Sequence, residues 1–144
     1  MTKGEETMNH AYSVELQFTG DQLEPSEISS RLGLQPSYTA ISQNLLGTRK
    51  FRPSWKYDGR GEEGYQLEWA SLEDGFAFLL KILNSRKAEI IALSRQFDGV
   101  WWCGHFQSSF DGGPTLSSEI LAEIAGYGIP LSIDNHFVDD SEPA

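Results

Sequence analysis

A short, capped amphipathic helix accompanied by an alternating stretch occurs twice in this chain, and that repetition limits the architectures open to it. The first copy reads Leu23-Glu24-Pro25-Ser26-Glu27-Ile28-Ser29-Ser30-Arg31-Leu32-Gly33-Leu34. The second reads Thr115-Leu116-Ser117-Ser118-Glu119-Ile120-Leu121-Ala122-Glu123-Ile124-Ala125-Gly126. Before the first, Tyr12, Val14, Leu16 and Phe18 alternate with Ser13, Glu15, Gln17 and Thr19, the period of a half-buried strand. After the second, Leu131, Ile133, Asn135 and Phe137 alternate with Ser132, Asp134 and His136. Two related strand–helix–strand units are therefore expected, with the middle of the chain between them.

Local signals fill in the rest. Glu24 is a candidate cap, Pro25 suits the first helical turn, and Gly33 suits a left-handed stop. Poor periodicity with Pro36, Asn44 and Gly47 predicts a long loop over 35–49. Phe51 to Tyr57 reads as extended, and a hairpin over 54–69 is expected around Asp58-Gly59-Arg60-Gly61. Ser71-Leu72-Glu73-Asp74 resembles a capping box. Behind it Phe76, Leu79, Leu80 and Leu83, then Ala88, Ile90, Ile91 and Leu93, predict one bent helix or two in succession. Val100 to Gln107 reads as a central strand covered on both sides or buried in a subunit contact, because Trp102, Gly104 and Phe106 share one face and Trp101, Cys103 and His105 the other. The expected fold is α+β: a ferredoxin-like two-layer sandwich of two βαβ-like units joined by a helical connection. Residues 1–10 read as a flexible N-terminus, 11–138 as one domain, and 139–144 as an acidic tail.

Charge and cysteine usage exclude several classes. The net charge of −10 has the wrong sign for a nucleic-acid backbone or an anionic membrane, and steers the chain toward basic partners. No run approaches the roughly 20 apolar residues of a bilayer span. The first residues lack the apolar core of a secretion signal, so a cytoplasmic location is expected. One cysteine, Cys103, forms no disulfide framework and no multi-cysteine metal site.

The stretch Phe18-Thr19-Gly20-Asp21-x-Leu23-x-Pro25-x-x-Ile28-x-x-x-Leu32-Gly33-Leu34, then Trp55, the long helical stretch, and a closing Leu116-Ser117…Ile133-Asp134 unit resemble a bacterial family of domains of unknown function, number four-two-seven-nine in that series. The resemblance covers roughly residues 12 to 138 in the same order. His136-Phe137 stands where the family pattern often ends its last strand on tyrosine. The resemblance implies a small cytoplasmic α+β protein and carries no activity, substrate or catalytic residue.

Candidate chemistry is sparse. Cys103 and His105 share a strand face about 7 Å apart, and Asp134 with His136 would complete a triad if the last strand lay alongside. Buried packing of the cysteine is the stronger reading. Arg49, Lys50, Arg52, Lys56 and Arg60 fall within twelve positions, interleaved with Phe51, Trp55 and Tyr57, a composition suited to an anion or an acidic group. Solvated edge charges are the simpler explanation. Trp101 and Trp102 must face opposite sides of a strand, so one of them leaves the main core. No phosphate-loop, nucleophile-elbow or zinc-helix motif is present. The reading is a binding or interaction module rather than an enzyme, without cofactor or metal, of immunity type in capturing a basic protein, or pairing with a second copy of itself. The alternative is a small-molecule or anion-binding protein, or an enzyme, using the Arg49–Arg60 segment and a pocket near His105. Candidate binding residues are Arg49, Arg52, Trp55, Arg60, Trp101 and His105.

Overall fold

The computed structural model describes residues 9–41 and 52–138, with the backbone alone at 44–45 and 49–50. Seven strands and four helices follow in the order β1 (His10–Thr19), α1 (Pro25–Leu32), β2 (Tyr38–Ala40), β3 (Asn44–Leu45), β4 (Arg49–Lys50), β5 (Ser54–Tyr57), α2 (Leu72–Leu83), α3 (Lys87–Ser94), β6 (Asp98–Gln107), α4 (Ser118–Ala125) and β7 (Leu131–Phe137). The main sheet runs β2-β5-β1-β6-β7, and β3 with β4 forms a separate ribbon. The class is α+β. Among the described residues no helix is long and apolar enough to cross a membrane.

The alternation in β1 translates directly into burial. Tyr12, Val14, Leu16 and Phe18 are buried, while Ala11, Ser13, Glu15, Gln17 and Thr19 are half-buried on the other side. Helices α1, α2 and α3 contact β5, β1 and β6 respectively, and α4 packs on α2. One continuous core therefore forms on the apolar side, with Phe18, Ile28, Trp55, Phe76, Leu83 and Trp101 inside it.

The helix ends follow local chemistry. Gly33 stops α1 at φ 67°, a conformation that costs a glycine nothing. Pro25 occupies the first turn, but the side chain of Glu24 makes no cap bond. Ser71 accepts from the Asp74 N–H at 3.2 Å, as its capping pattern predicts. A single turn of 3₁₀-helix at Asn84–Arg86 divides the long helical stretch into α2 and α3. Ser117 caps α4 by accepting from the Ile120 N–H, and its own N–H donates to Glu73 on α2 at 2.6 Å.

Several expectations change. The loop expected over 35–49 contains β2 and β3 and reaches the start of β4, because the Tyr38–Ala40 backbone finds a ladder on β5. No hairpin spans 54–69. Instead β5 pairs with β1, and Trp69 bridges to Tyr12 by reciprocal backbone bonds of 2.8 and 2.7 Å. The two repeated units differ: β6 and β7 are parallel neighbours joined through α4, whereas β1 and β5 are antiparallel neighbours joined through α1. Only the second is a βαβ crossover, so the order does not consist of two equivalent such units. Finally, among the described residues helices cover β6 on one side only, and Trp102 and Phe106 on its second side are half-buried.

Candidate functional site

The second side of the sheet is the surface that the fold leaves available. Its composition follows from register. In the β1–β6 ladder Glu15 lies opposite Trp102, Ser13 opposite Gly104, and Ala11 opposite Phe106. The parallel β6–β7 ladder adds Ser132, Asp134 and His136 beside Trp102, Gly104 and Phe106. On the other flank Lys56 pairs with Gln17 and Tyr38 with Lys56. No helix among the described residues packs over these groups.

The aromatic part of this face is fitted together. The Phe106 ring leans across Gly104, where an added Cβ would lie 2.7 Å from Ser13 Oγ and 3.0 Å from the ring. On its other flank Phe106 stacks on His136, with centroids 5.1 Å apart and planes 16° apart. Beyond Gly104 on the same face of β6 stands Trp102, opposite Glu15 in the ladder.

Glu15 is the electrostatic centre of the face. Burial pushes its carboxyl above the ordinary range, opposed by a hydrogen bond from the Gln17 amide and by the charges of Lys56 and Arg60. Asp58 nearby behaves in the opposite way. Burial alone would raise it, but bonds from the Ser37 hydroxyl and from Arg60 hold its carboxyl below the ordinary range. Those bonds measure 2.5 Å from Ser37 Oγ and 2.9 Å from Arg60 Nη2. Two neighbouring carboxylates thus differ in how well the fold itself satisfies them.

A groove of about 550 Å³ lies at the β2–β5 end, lined by Tyr38, Thr39, Ala40, Ile41, Arg52, Ser54 and Lys56. Lys56 Nζ sits 5.0 Å from the Tyr38 ring centre. Arg52 is already engaged at the groove, reaching Asp21 at 3.2 Å and Asp98 at 3.0 Å.

His105 lies on the helix-covered side, near the opposite end of the β1–β6 ladder. It is buried, its ring stacked between Tyr12 and His10 at 4.7 and 5.0 Å. Its Nδ1 lies 2.8 Å from Asn135 Oδ1, and its Nε2 lies 2.8 Å from His10 Nδ1. His10 Nε2 in turn meets the Asp111 carbonyl at 2.6 Å. With the Asn135 oxygen facing His105, these three contacts take three N–H protons, one more than two neutral imidazoles carry. With the Asn135 amide turned, so that its NH2 donates to His105 Nδ1, two neutral rings complete the chain.

The candidate residues from the sequence do not meet in one place. The side chain of Arg49 lies outside the described residues. Arg52 sits at the groove, and Arg60 is tied to Asp58 and lies over Tyr65. Trp55 and Trp101 are fully buried; their N–H groups donate to Ser29 Oγ and, at 3.4 Å, to the Ile124 carbonyl. The triad arrangement does not form. Although β7 does neighbour β6, register places Asn135 rather than His136 beside His105 and turns Asp134 and His136 to the uncovered side. Burial pushes the Cys103 thiol up to about 12, so it carries no thiolate at neutral pH. The groups that sequence reasoning passed over are Glu15, Phe106 and Tyr38. Strand alternation assigns each to a face, but only the pairing of β1 with β6 makes Glu15 and Trp102 neighbours.

The family model described as Domain of unknown function (DUF4279) matches residues 10–138, the span from the first residue of β1 to just beyond β7. The chain belongs to this family. No curated protein matches the chain, and no solved structure matches it.

Proposed function

We propose that this DUF4279 domain is a non-enzymatic interaction module that uses the uncovered sheet face to capture a positively charged segment of another protein, in the manner of an immunity-type protein. The observation that supports this is the pairing of Glu15 with Trp102 on a face that no helix covers. A guanidinium or ammonium group gains from an aromatic face and from a carboxylate at the same time. A carboxylate directly opposite across two antiparallel strands is about 5 Å away at the Cβ atoms, which suits one cationic side chain touching both. The net charge of −10 brings such a partner in from a distance.

The state of Glu15 fits this reading. Folding raises its pKa, so the native state tolerates its charge less well than the unfolded chain does. A cation placed on it would supply the compensation that the fold withholds. Trp102 then serves as the apolar anchor that interfaces favour.

Trp102 is also the reporter. Trp55, Trp69 and Trp101 are buried in the core, so a bound peptide should change the fluorescence of Trp102 above all. Titration with an arginine-rich peptide is expected to give saturable quenching. It should weaken about tenfold in Glu15→Gln, the loss of one charge-assisted contact. Trp102→Ala removes the reporter, so its binding is read by titration calorimetry, where the heat of binding should disappear. Binding that both variants leave unchanged rejects the reading.

A second reading rests on the groove between Tyr38, Arg52, Ser54 and Lys56, whose two cations would suit a phosphate or carboxylate ligand. A rise in thermal midpoint with such anions, lost in Lys56→Ala, supports it. No rise across phosphates, nucleotides and carboxylates removes it.

A further inference from the structure

We propose that the chain forms a twofold dimer by pairing β7 with β7 of a second copy, antiparallel, in the register that sets Asp134 opposite His136 of the partner subunit. This surface is the β7 edge of the sheet, adjoining the face that carries Glu15 and Trp102 and sharing Asp134 and His136 with it.

Among the described residues no strand pairs with the outer edge of β7, and this edge is unusually apolar. All seven residues of β7 are exposed, with Leu131 at 36%, Ile133 at 38% and Phe137 at 54%. Beyond it Val138 is 46% exposed, and Phe110, 83% exposed, stacks on Phe137 with centroids 4.7 Å apart. A free edge is normally protected by lysine, proline or a bulge. The segment Leu131-Ser132-Ile133-Asp134-Asn135-His136-Phe137 has no lysine, arginine or proline. The opposite edge, β2, is only three residues long.

The backbone selects the possible registers. The Trp101 N–H donates to the Pro130 carbonyl at 2.8 Å, and the Val138 N–H donates to the Gln107 carbonyl at 2.6 Å. A parallel ladder repeats every two residues, so Ser132, Asp134 and His136 turn their backbone groups to β6. Leu131, Ile133, Asn135 and Phe137 turn theirs outward. A second antiparallel strand can bond only to these outward residues, so they must face one another across the twofold axis.

Side chains then choose among the registers that remain. Centring the axis on Asp134 opposes two aspartates at the closer, non-hydrogen-bonded spacing, which is unfavourable. Centring it on Ile133 leaves Phe137 beyond the paired residues of the other strand, whereas centring it on Asn135 leaves out Leu131, the less exposed of the two. Centring it on Asn135 puts Asp134 opposite His136 of the partner subunit twice, and Ile133 opposite Phe137 of the partner subunit twice. The first pairs a carboxylate with an imidazole whose N–H can donate to it, and the second is an aromatic–β-branched pair of the favourable kind. Asp134 and His136 already lie 3.7 Å apart within the strand, so the four groups would form one cluster on the uncovered side. Ile133, Phe137 and Phe110 would close an apolar cluster on the other side. The two sheets would join into one, with both uncovered faces on the same side.

Sedimentation equilibrium of the full chain tests this from micromolar to submillimolar concentration, with circular dichroism as the check on folding. The expected mass is twice the 16.1 kDa of one chain. Ile133→Pro removes an outward N–H and leaves the β6 ladder intact, and it should give a monomer. Asp134→Lys should weaken association by about tenfold, as the carboxylate that accepts from His136 of the partner subunit is lost. The double variant Asp134→Lys/His136→Asp places opposite charges across the axis and should recover most of the loss. A wild-type monomer throughout this range overturns the proposal, as does a dimer indifferent to Ile133→Pro. Failure of the double variant to recover overturns the register.

Discussion

Trp101 and Trp102 are adjacent in the chain and belong to different environments. Trp101 is fully buried beneath the helices, edge-on to Phe76 and Tyr127 at 5.9 and 5.2 Å, with its N–H directed at a helix carbonyl. Trp102 stands half-buried on the uncovered side, opposite a carboxylate. One residue of chain length moves an indole from the core to the surface because successive strand side chains point to opposite faces. The difference separates the two tasks of the sheet: one side holds the fold together, and the other keeps aromatic and charged groups in contact with solvent.

The sharpest way to break that comparison is to truncate each tryptophan. Trp101→Ala is expected to cost about 3–5 kcal/mol in chemical denaturation, the cost of a large core cavity. Trp102→Ala should cost about 1 kcal/mol or less while removing peptide binding. Equal losses of stability would show that both sides are structural.

Gly104→Ala probes how tightly the uncovered side is fitted. The new methyl group would meet Ser13 Oγ and the Phe106 ring, with an expected cost of about 1–3 kcal/mol for overpacking. A neutral result would mean that the Phe106 ring swings away freely and that this side is not preorganised.

The two carboxylates sharpen the comparison through pH. Asp58 has a lowered pKa in the folded state, so it contributes stability above its unfolded value that is lost as pH falls through the folded one. Asp58→Asn is therefore expected to cost about 1–2 kcal/mol at neutral pH, the scale of bonds to a charged group, with the difference fading in acid. Glu15 has a raised pKa, and the sign reverses. Stability is present at low pH and lost as pH rises through its folded value. Glu15→Gln should raise the thermal midpoint at neutral pH by at most a few degrees, and the gain should vanish in acid. A destabilised Glu15→Gln would show that the carboxylate serves the fold.

Salt gives the smallest effect and separates the two proposed surfaces. Binding of an arginine-rich peptide should weaken as salt screens the charges of the face. Self-pairing of chains that each carry −10 should not weaken in parallel, since screening also relieves the repulsion between copies.

Much of the architecture is readable without coordinates. The alternation from Tyr12 to Thr19, the capping signal at Ser71, and the glycine stop at Gly33 each depend on residues within a few positions of one another. Local chemistry of that kind carries these three assignments, whereas the cap expected of Glu24 makes no bond and the hairpin expected over 54–69 gives way to pairing with β1. The α+β class follows from the succession of strands and helices. Other features depend on pairing across long stretches of chain. The strand at Tyr38–Ala40 exists because β5 offers it a ladder, and Trp69 is held because Tyr12 lies beside it.

The same division applies to the candidate site. Residue order alone establishes that Glu15 and Trp102 each sit on a definite strand face, and that Cys103 and His105 share one. Only the tertiary structure decides that β1 lies against β6, which places Glu15 beside Trp102. Only the parallel register of β6 and β7 places Asn135, not His136, at His105. The physical reason is that a strand's periodicity is a property of its own backbone. Its neighbours and register are chosen by the whole core, through burial and ladder bonds between residues that can be nearly a hundred positions apart.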